Sequence, residues 1–201
     1  PTDNTVLDYV GGIKDLKQKK INIIGDATIR YKEDPVRMLR ALRFAAKLNF
    51  EIEPSTCAPI MDMAPLLGNI PPARLFDEML KLFLSGHAVE IFEGLIHYKL
   101  FDALFPQISH TLSTDDQAAY YKRFILMGLK NTDSRIKAEK PVTPAFLYAT
   151  LIWPEVNRKW QQLQSEGVPE FPALQQAGQS AIQNQLAHIS IPKRFTLMMK
   201  E

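Results

Sequence analysis

The chain has 201 residues, of which 46% are hydrophobic and 23% charged, and its net charge is +2. That is enough apolar material for one large core or two modest ones, and too little net charge for a polybasic nucleic-acid binder. No uncharged apolar run approaches membrane-spanning length, and the single cysteine, Cys57, excludes an intrachain disulfide and points to a reducing, cytoplasmic setting.

The chain opens at Pro1 with neither an initiator Met nor a basic-then-apolar leader, so it reads as internal to a longer polypeptide. Val6 to Val10 is a short apolar stretch stopped by Gly11-Gly12. Ile13 to Ile24 reads as a hairpin whose turn is Lys17-Gln-Lys-Lys20, with Ile21 and Ile23 alternating on the return strand. Gly25-Asp26 closes this small β element, expected to be the edge of a sheet continued upstream.

From Asp34 the pattern turns helical. Asp34-Pro35 has the form of an N-cap followed by proline at the first helical position, with Met38, Leu39, Leu42, Ala45 and Ala46 at helical spacing behind it. A second helix is expected over Ser55 to Leu67. A third follows Pro71-Pro72 with Leu75, Phe76, Met79, Leu80 and Phe83 as its stripe, and Gly86 separates it from another over Ala88 to Tyr98. Beyond Phe105-Pro106, helices are expected over Ala118 to Leu129, from Thr143-Pro144 through Trp153, over Glu170 to Ile189 and over Ile191 to Met199. The fold class is therefore all-α, a multi-helix body behind a small N-terminal β element. Residues 1–30, 31–105 and 106–201 form its expected segments.

Chemistry-bearing patterns are few. His87, His97, His110 and His188 have no zinc-ligand spacing, no phosphate-binding glycine loop is present, and Cys57 sits in an apolar setting suited to packing. No metal site is expected. From Lys14 to Lys47, however, ten Lys or Arg face four Asp or Glu, a local excess that suits a phosphate-bearing partner or a solvated face.

Within that segment, Asp34, Arg37 and Arg40 follow one another at three-residue spacing and share one flank of a helix. An aspartate beside an arginine can read a Watson–Crick edge: the carboxylate accepts from an exocyclic amine while the guanidinium donates to the adjacent ring nitrogen. Adenine and cytosine both offer that pattern, guanine and uracil do not. The plainer reading makes Asp34 an N-cap and the arginines a solvated flank with Glu33 as a partner.

These motifs resemble the class II nucleotidyltransferase family, which comprises bacterial poly(A) polymerases and tRNA CCA-adding enzymes. Asp8-Tyr-Val-Gly-Gly-Ile-Lys-Asp-Leu16 is similar to the family's head-to-neck hinge, with Asp15 at its acidic position. Glu33-Asp-Pro-Val-Arg-Met-Leu-Arg40 is similar to its nucleotide-recognition helix, and Ile70-Pro-Pro-Ala-Arg-Leu-Phe-Asp-Glu78 to the neck motif that supports it. Pro71-Pro-Ala-Arg74, Lys130 to Arg135, Pro144 to Tyr148 and Ile191 to Arg194 look like the poly(A) polymerase branch rather than the CCA-adding one.

The resemblance implies a neck and body whose catalytic head, with two magnesium ions held by a carboxylate pair, lies upstream, so no catalytic residue is expected here. It implies that Asp34 and Arg37 read the base, with Glu33 and Arg40 near the nucleotide. Arg74 would hold the recognition helix in place, or bridge to Glu78 one turn on. The implied activity is addition of AMP from ATP to RNA 3′ ends without a template, serving RNA processing and decay. The partners would be RNA 3′ ends, ATP and RNA-decay proteins, with Lys193 and Arg194 as candidate RNA contacts and no membrane involved. CCA addition to tRNA and a non-catalytic RNA-binding module are the alternatives.

Overall fold

The computed structural model describes residues 6–200. Helices dominate: α1 (Gly12–Lys17) leads to strand β1 (Lys20–Ile21), then α2 (Ala27–Glu33), α3 (Val36–Leu48) and strand β2 (Glu51–Ile52). Three short turns follow, α4 (Pro54–Cys57), α5 (Ile60–Met63) and a 3₁₀ helix (Ala64–Asn69). The body then contains α6 (Pro72–Phe83), α7 (Ala88–His97), α8 (Leu100–Leu104), α9 (Pro106–Thr114), α10 (Ala118–Lys137), α11 (Pro144–Ser165), α12 (Glu170–Leu186) and α13 (Lys193–Met198). No helix of the described residues is long and apolar enough to cross a membrane.

The expected hairpin over Ile13 to Ile24 does not form. The Asp8 carboxylate accepts from the amides of Gly12 at 3.0 Å and Ile13 at 2.8 Å, satisfying donors that a helix start leaves open, and Gly11 takes the left-handed turn at φ 80°. Residues 12–17 therefore coil into α1. The strand that follows pairs in parallel with β2, Lys20 against Glu51 and Ile21 against Ile52, a partner thirty residues downstream.

Thr56 reinforces this ladder. Its hydroxyl accepts from Ile23 N at 3.0 Å, and its carbonyl accepts from the buried Tyr31 hydroxyl at 2.9 Å. The expected helix over Ser55 to Leu67 breaks into three because Pro59 and Pro65 cannot donate to it and clash with the preceding turn.

One element, α2, lies where no stripe announced it, and the helix expected over Ala118 to Leu129 is longer than its stripe. α2 starts at an N-cap, Asp26, whose carboxylate accepts from Ile29 N at 2.8 Å, yet it buries only Ala27 and Tyr31. α10 runs to Lys137, well beyond Leu129, and its last turn is anchored by Asp133. That carboxylate accepts from Ala88 N at 2.6 Å and Val89 N at 3.1 Å, capping α7 from another helix. At the start of α11 the expected cap is present, Thr143 accepting from Phe146 N at 3.2 Å.

One hydrophobic cluster extends from Ala27 to Ile191. α3 presents Met38, Leu39 and Leu42 to α6 and α7, and each such side chain taken from water contributes about 1.5–3 kcal/mol. Gly94 lets α3 come close to α7, since a Cβ there would lie 3.1 Å from both Leu42 methyls. An aromatic row joins α6 to the far helices, with Phe76 stacked on Tyr148 of α11 at 5.7 Å and on Phe195 of α13 at 6.1 Å. Ser190 N donates to Pro72 O at 3.1 Å, bringing the start of α13 against the first turn of α6.

Candidate nucleotide-reading site

The corner between α2 and α3 is made by Asp34, whose backbone is extended (φ −148°, ψ 92°) because the residue before a proline is pushed out of the helical region. Its carbonyl accepts from Arg37 N at 3.0 Å and so begins α3. Its side chain does not cap that helix. Instead both carboxylate oxygens accept from Arg74 Nη2 on α6, at 2.9 and 2.8 Å. The capping reading of Asp34 and the bridge from Arg74 to Glu78 are thus both corrected. The arginine across the neck engages both carboxylate oxygens, and here donor and acceptor both carry charge, whereas a capping amide is a neutral donor.

Arg37 turns back toward α2. Its Nη1 donates to Arg30 O at 2.8 Å and to Glu33 Oε2 at 2.8 Å, while Arg30 Nη1 reaches the same oxygen at 2.6 Å. The hydrogen bond from Arg37, aided by the nearby charge of Arg30, holds the Glu33 carboxyl below its usual range. Nε and Nη2 of Arg37 carry no hydrogen bond among the described residues, so donors remain available.

Arg40, one turn on, approaches Glu78 of α6 at 3.5 Å, and the almost wholly buried Glu78 is bonded more closely by Lys81 at 2.9 Å. Between Arg37 and Arg40 opens a small cleft of about 170 Å³, backed by Ile21, Ile23, Tyr31 and Phe44. Burial pushes the Tyr31 hydroxyl up to about 12, so it remains a donor to Thr56 at any ordinary pH.

Glu33, Asp34, Arg37, Arg40 and Arg74 therefore converge on one corner. Asp15 lies half-buried on α1 and helps, behind Glu53, to raise the ammonium of Lys20. Lys193 and Arg194 are exposed in the first turn of α13. They make no ion pair with the corner among the described residues, but α13 rests on the first turn of α6, two residues from Arg74. The Arg194 guanidinium stacks on Phe195 at 4.5 Å. Sequence reasoning missed Arg30, whose three-residue spacing to Glu33 was the available signal. The Arg74–Asp34 pair spans 40 residues and left no local sign.

Two family models match. One, described as the probable RNA and SrmB-binding site of polymerase A, covers residues 49–112. The other, the polymerase A arginine-rich C-terminus, covers residues 166–201, where this chain has a single arginine, Arg194. A poly(A) polymerase I of Salmonella typhi is 44% identical over 99% of the chain. A CCA-adding enzyme of Bacillus licheniformis is 40% identical over only 44% of it. A solved tRNA-processing enzyme shares the fold over 98% of this chain and 60% of its own, with a TM-score of 0.52 at 21% identity. The chain spans about 43% of the length of the Salmonella relative. Matched by poly(A) polymerases along its whole length and by CCA-adding enzymes along less than half, the chain is a relative of the bacterial poly(A) polymerases over the 43% of their length that it spans.

Proposed function

We propose that the protein of which this chain is part adds AMP from ATP to RNA 3′ ends without a template, in a cytoplasmic setting, and that residues 31–105 choose the nucleotide while 106–201 form the helical body. The observation that carries the reading is the Asp34–Arg37 corner. A carboxylate oxygen can accept two hydrogen bonds, so Arg74 can hold the plane of Asp34 while each oxygen keeps capacity for an exocyclic amine. Arg37, fixed through Nη1, would present its remaining donors to the adjacent ring nitrogen. A bidentate contact of this kind discriminates by about 1–3 kcal/mol, a ten- to hundredfold preference against G and U.

In the transfer itself a 3′-hydroxyl attacks the α-phosphate and pyrophosphate leaves. Paired magnesium ions supply charge neutralisation for such reactions. The described residues include no group of three His, Cys, Asp or Glu able to hold a metal, so no metal-dependent step is assigned to them. RNA-decay proteins as partners extend the same reading.

CCA addition is the second reading, favoured by the partial match to CCA-adding enzymes and by a reading pair that suits cytosine as well as adenine. The test offers ATP or CTP to the intact protein with a generic RNA and with tRNA lacking its terminus. ATP-dependent tailing of the generic RNA is expected, and efficient CTP addition to the tRNA would overturn the assignment. Asp34→Ala and Arg37→Ala are each expected to relax selectivity for ATP over GTP at least tenfold, with the protein still folded by circular dichroism.

A further inference from the structure

Between the two family matches lies α10, and its outward face carries a pattern that the reading corner does not use. Arg123, Lys130 and Lys137 recur every seven residues, so they stand almost in line along the helix, about 10 Å apart. All three are exposed, and none takes part in an ion pair among the described residues. The helix's one carboxylate, Asp133, is turned inward and consumed in capping α7, so it does not offset the row. Acidic residues appear only at the ends, Asp115 and Asp116 before the helix and Glu139 after it.

Beside the row, Tyr120 and Met127 are 56% and 63% exposed, an aromatic ring and a thioether left in water on a helix whose other large apolar groups pack inward. Tyr120 is held edge-on by Tyr121 at 5.7 Å, and Tyr121 is in turn fixed by Asn157 at 3.1 Å. Unpaired cations in a line suit a chain of phosphates, and an exposed, oriented tyrosine at one end suits the face of an unstacked base.

We propose that the outer face of α10 is a track for single-stranded RNA, with Arg123, Lys130 and Lys137 on phosphates and Tyr120 stacked on a base. The proposal rests on RNA being the polymer this protein extends, and it adds a contact surface outside both the reading corner and the matched segments. An anionic protein partner is the competing occupant.

The experiment uses the intact protein and a fluorescent 20-nucleotide oligo(A), with anisotropy titrations between 50 and 400 mM salt. Single-strand contacts contribute about 0.7 each to the slope of log affinity against log salt. R123Q/K130Q/K137Q is therefore expected to lower that slope by about 2 and to weaken binding at 0.1 M salt by tenfold or more, with an unchanged melting curve. Tyr120→Ala is expected to weaken binding severalfold at every salt concentration, while Tyr120→Phe binds as the parent does. An unaltered slope in the triple variant overturns the proposal and leaves the face to a protein. Absence of oligo(A) binding by the parent would overturn the polymerase reading as well. Unaltered ATP selectivity in the triple variant is expected, because selectivity reports on the corner of Asp34, Arg37 and Arg74 and not on α10.

Discussion

Gly128→Ala tests the seating of α10, since Gly128 faces α11. A Cβ built there would lie 2.4 Å from Thr150 Cγ2 and 3.1 Å from its Oγ1. Carbon atoms are comfortable at about 3.5–4.0 Å, so one helix must move by roughly 1 Å or Thr150 must leave its rotamer. Thr150 is buried and β-branched, with little freedom to do so. Overpacking of this kind costs about 1–3 kcal/mol. Replacing glycine by alanine inside a helix returns about 0.8–1.0 kcal/mol. A net loss of up to about 2 kcal/mol is expected, and for a chain of this size that lowers Tm by up to roughly 8 °C.

Thermal melts followed at 222 nm would compare Gly128→Ala, Thr150→Ser and the double variant. Serine lacks the offending methyl, so the double variant should be at least as stable as Thr150→Ser alone. A Gly128→Ala protein that melts higher than the parent would show that the two helices do not meet at this glycine, and the outward direction of Arg123, Lys130 and Lys137 would lose its basis.

Asp133→Ala leaves the buried first amides of α7 without an acceptor. The lost cap and the unsatisfied donors together should cost about 2–4 kcal/mol, or roughly 5–15 °C in Tm. Arg74→Met removes the partner of Asp34 at a site where the arginine is 41% exposed, so the stability loss should stay at or below about 1 kcal/mol, while discrimination between ATP and GTP weakens. Glu33 should titrate below its reference value of 4.5, chiefly because Arg37 bonds it, and the midpoint should move back up in Arg37→Ala when followed by NMR. The sign follows: a depressed carboxylate pKa means that the stability of this tie is present above pH 4.5 and is lost as pH falls through the folded-state value.

The body was legible where a helix carries a full apolar stripe between clear punctuation, as in α6 between Pro72 and Gly86. It was not legible where the cause of an element is a remote group. α1 forms because Asp8 reaches forward to its amides, and β1 exists because β2 arrives thirty residues later. α10 looked short because past Leu129 its inward positions are Thr132 and Asp133, polar residues whose burial only α7 explains. At the corner, the local spacing of Asp34, Arg37 and Arg40 was readable. The allegiance of each was not: Asp34 and Arg40 lean toward α6, whereas Arg37 stays with α2.

The parallel ladder between β1 and β2, latched by Thr56, has a mechanical meaning for that corner. It joins the two ends of residues 22–50 and makes of α2 and α3 a closed ring rather than an open arm. Torque applied upstream of Lys20 then cannot bend Asp34 away from Arg37 by unwinding one linker; it must turn the ring as a unit. Within that unit the spacing of Asp34 and Arg37 is preserved, and the Arg74 contact ties the unit to α6.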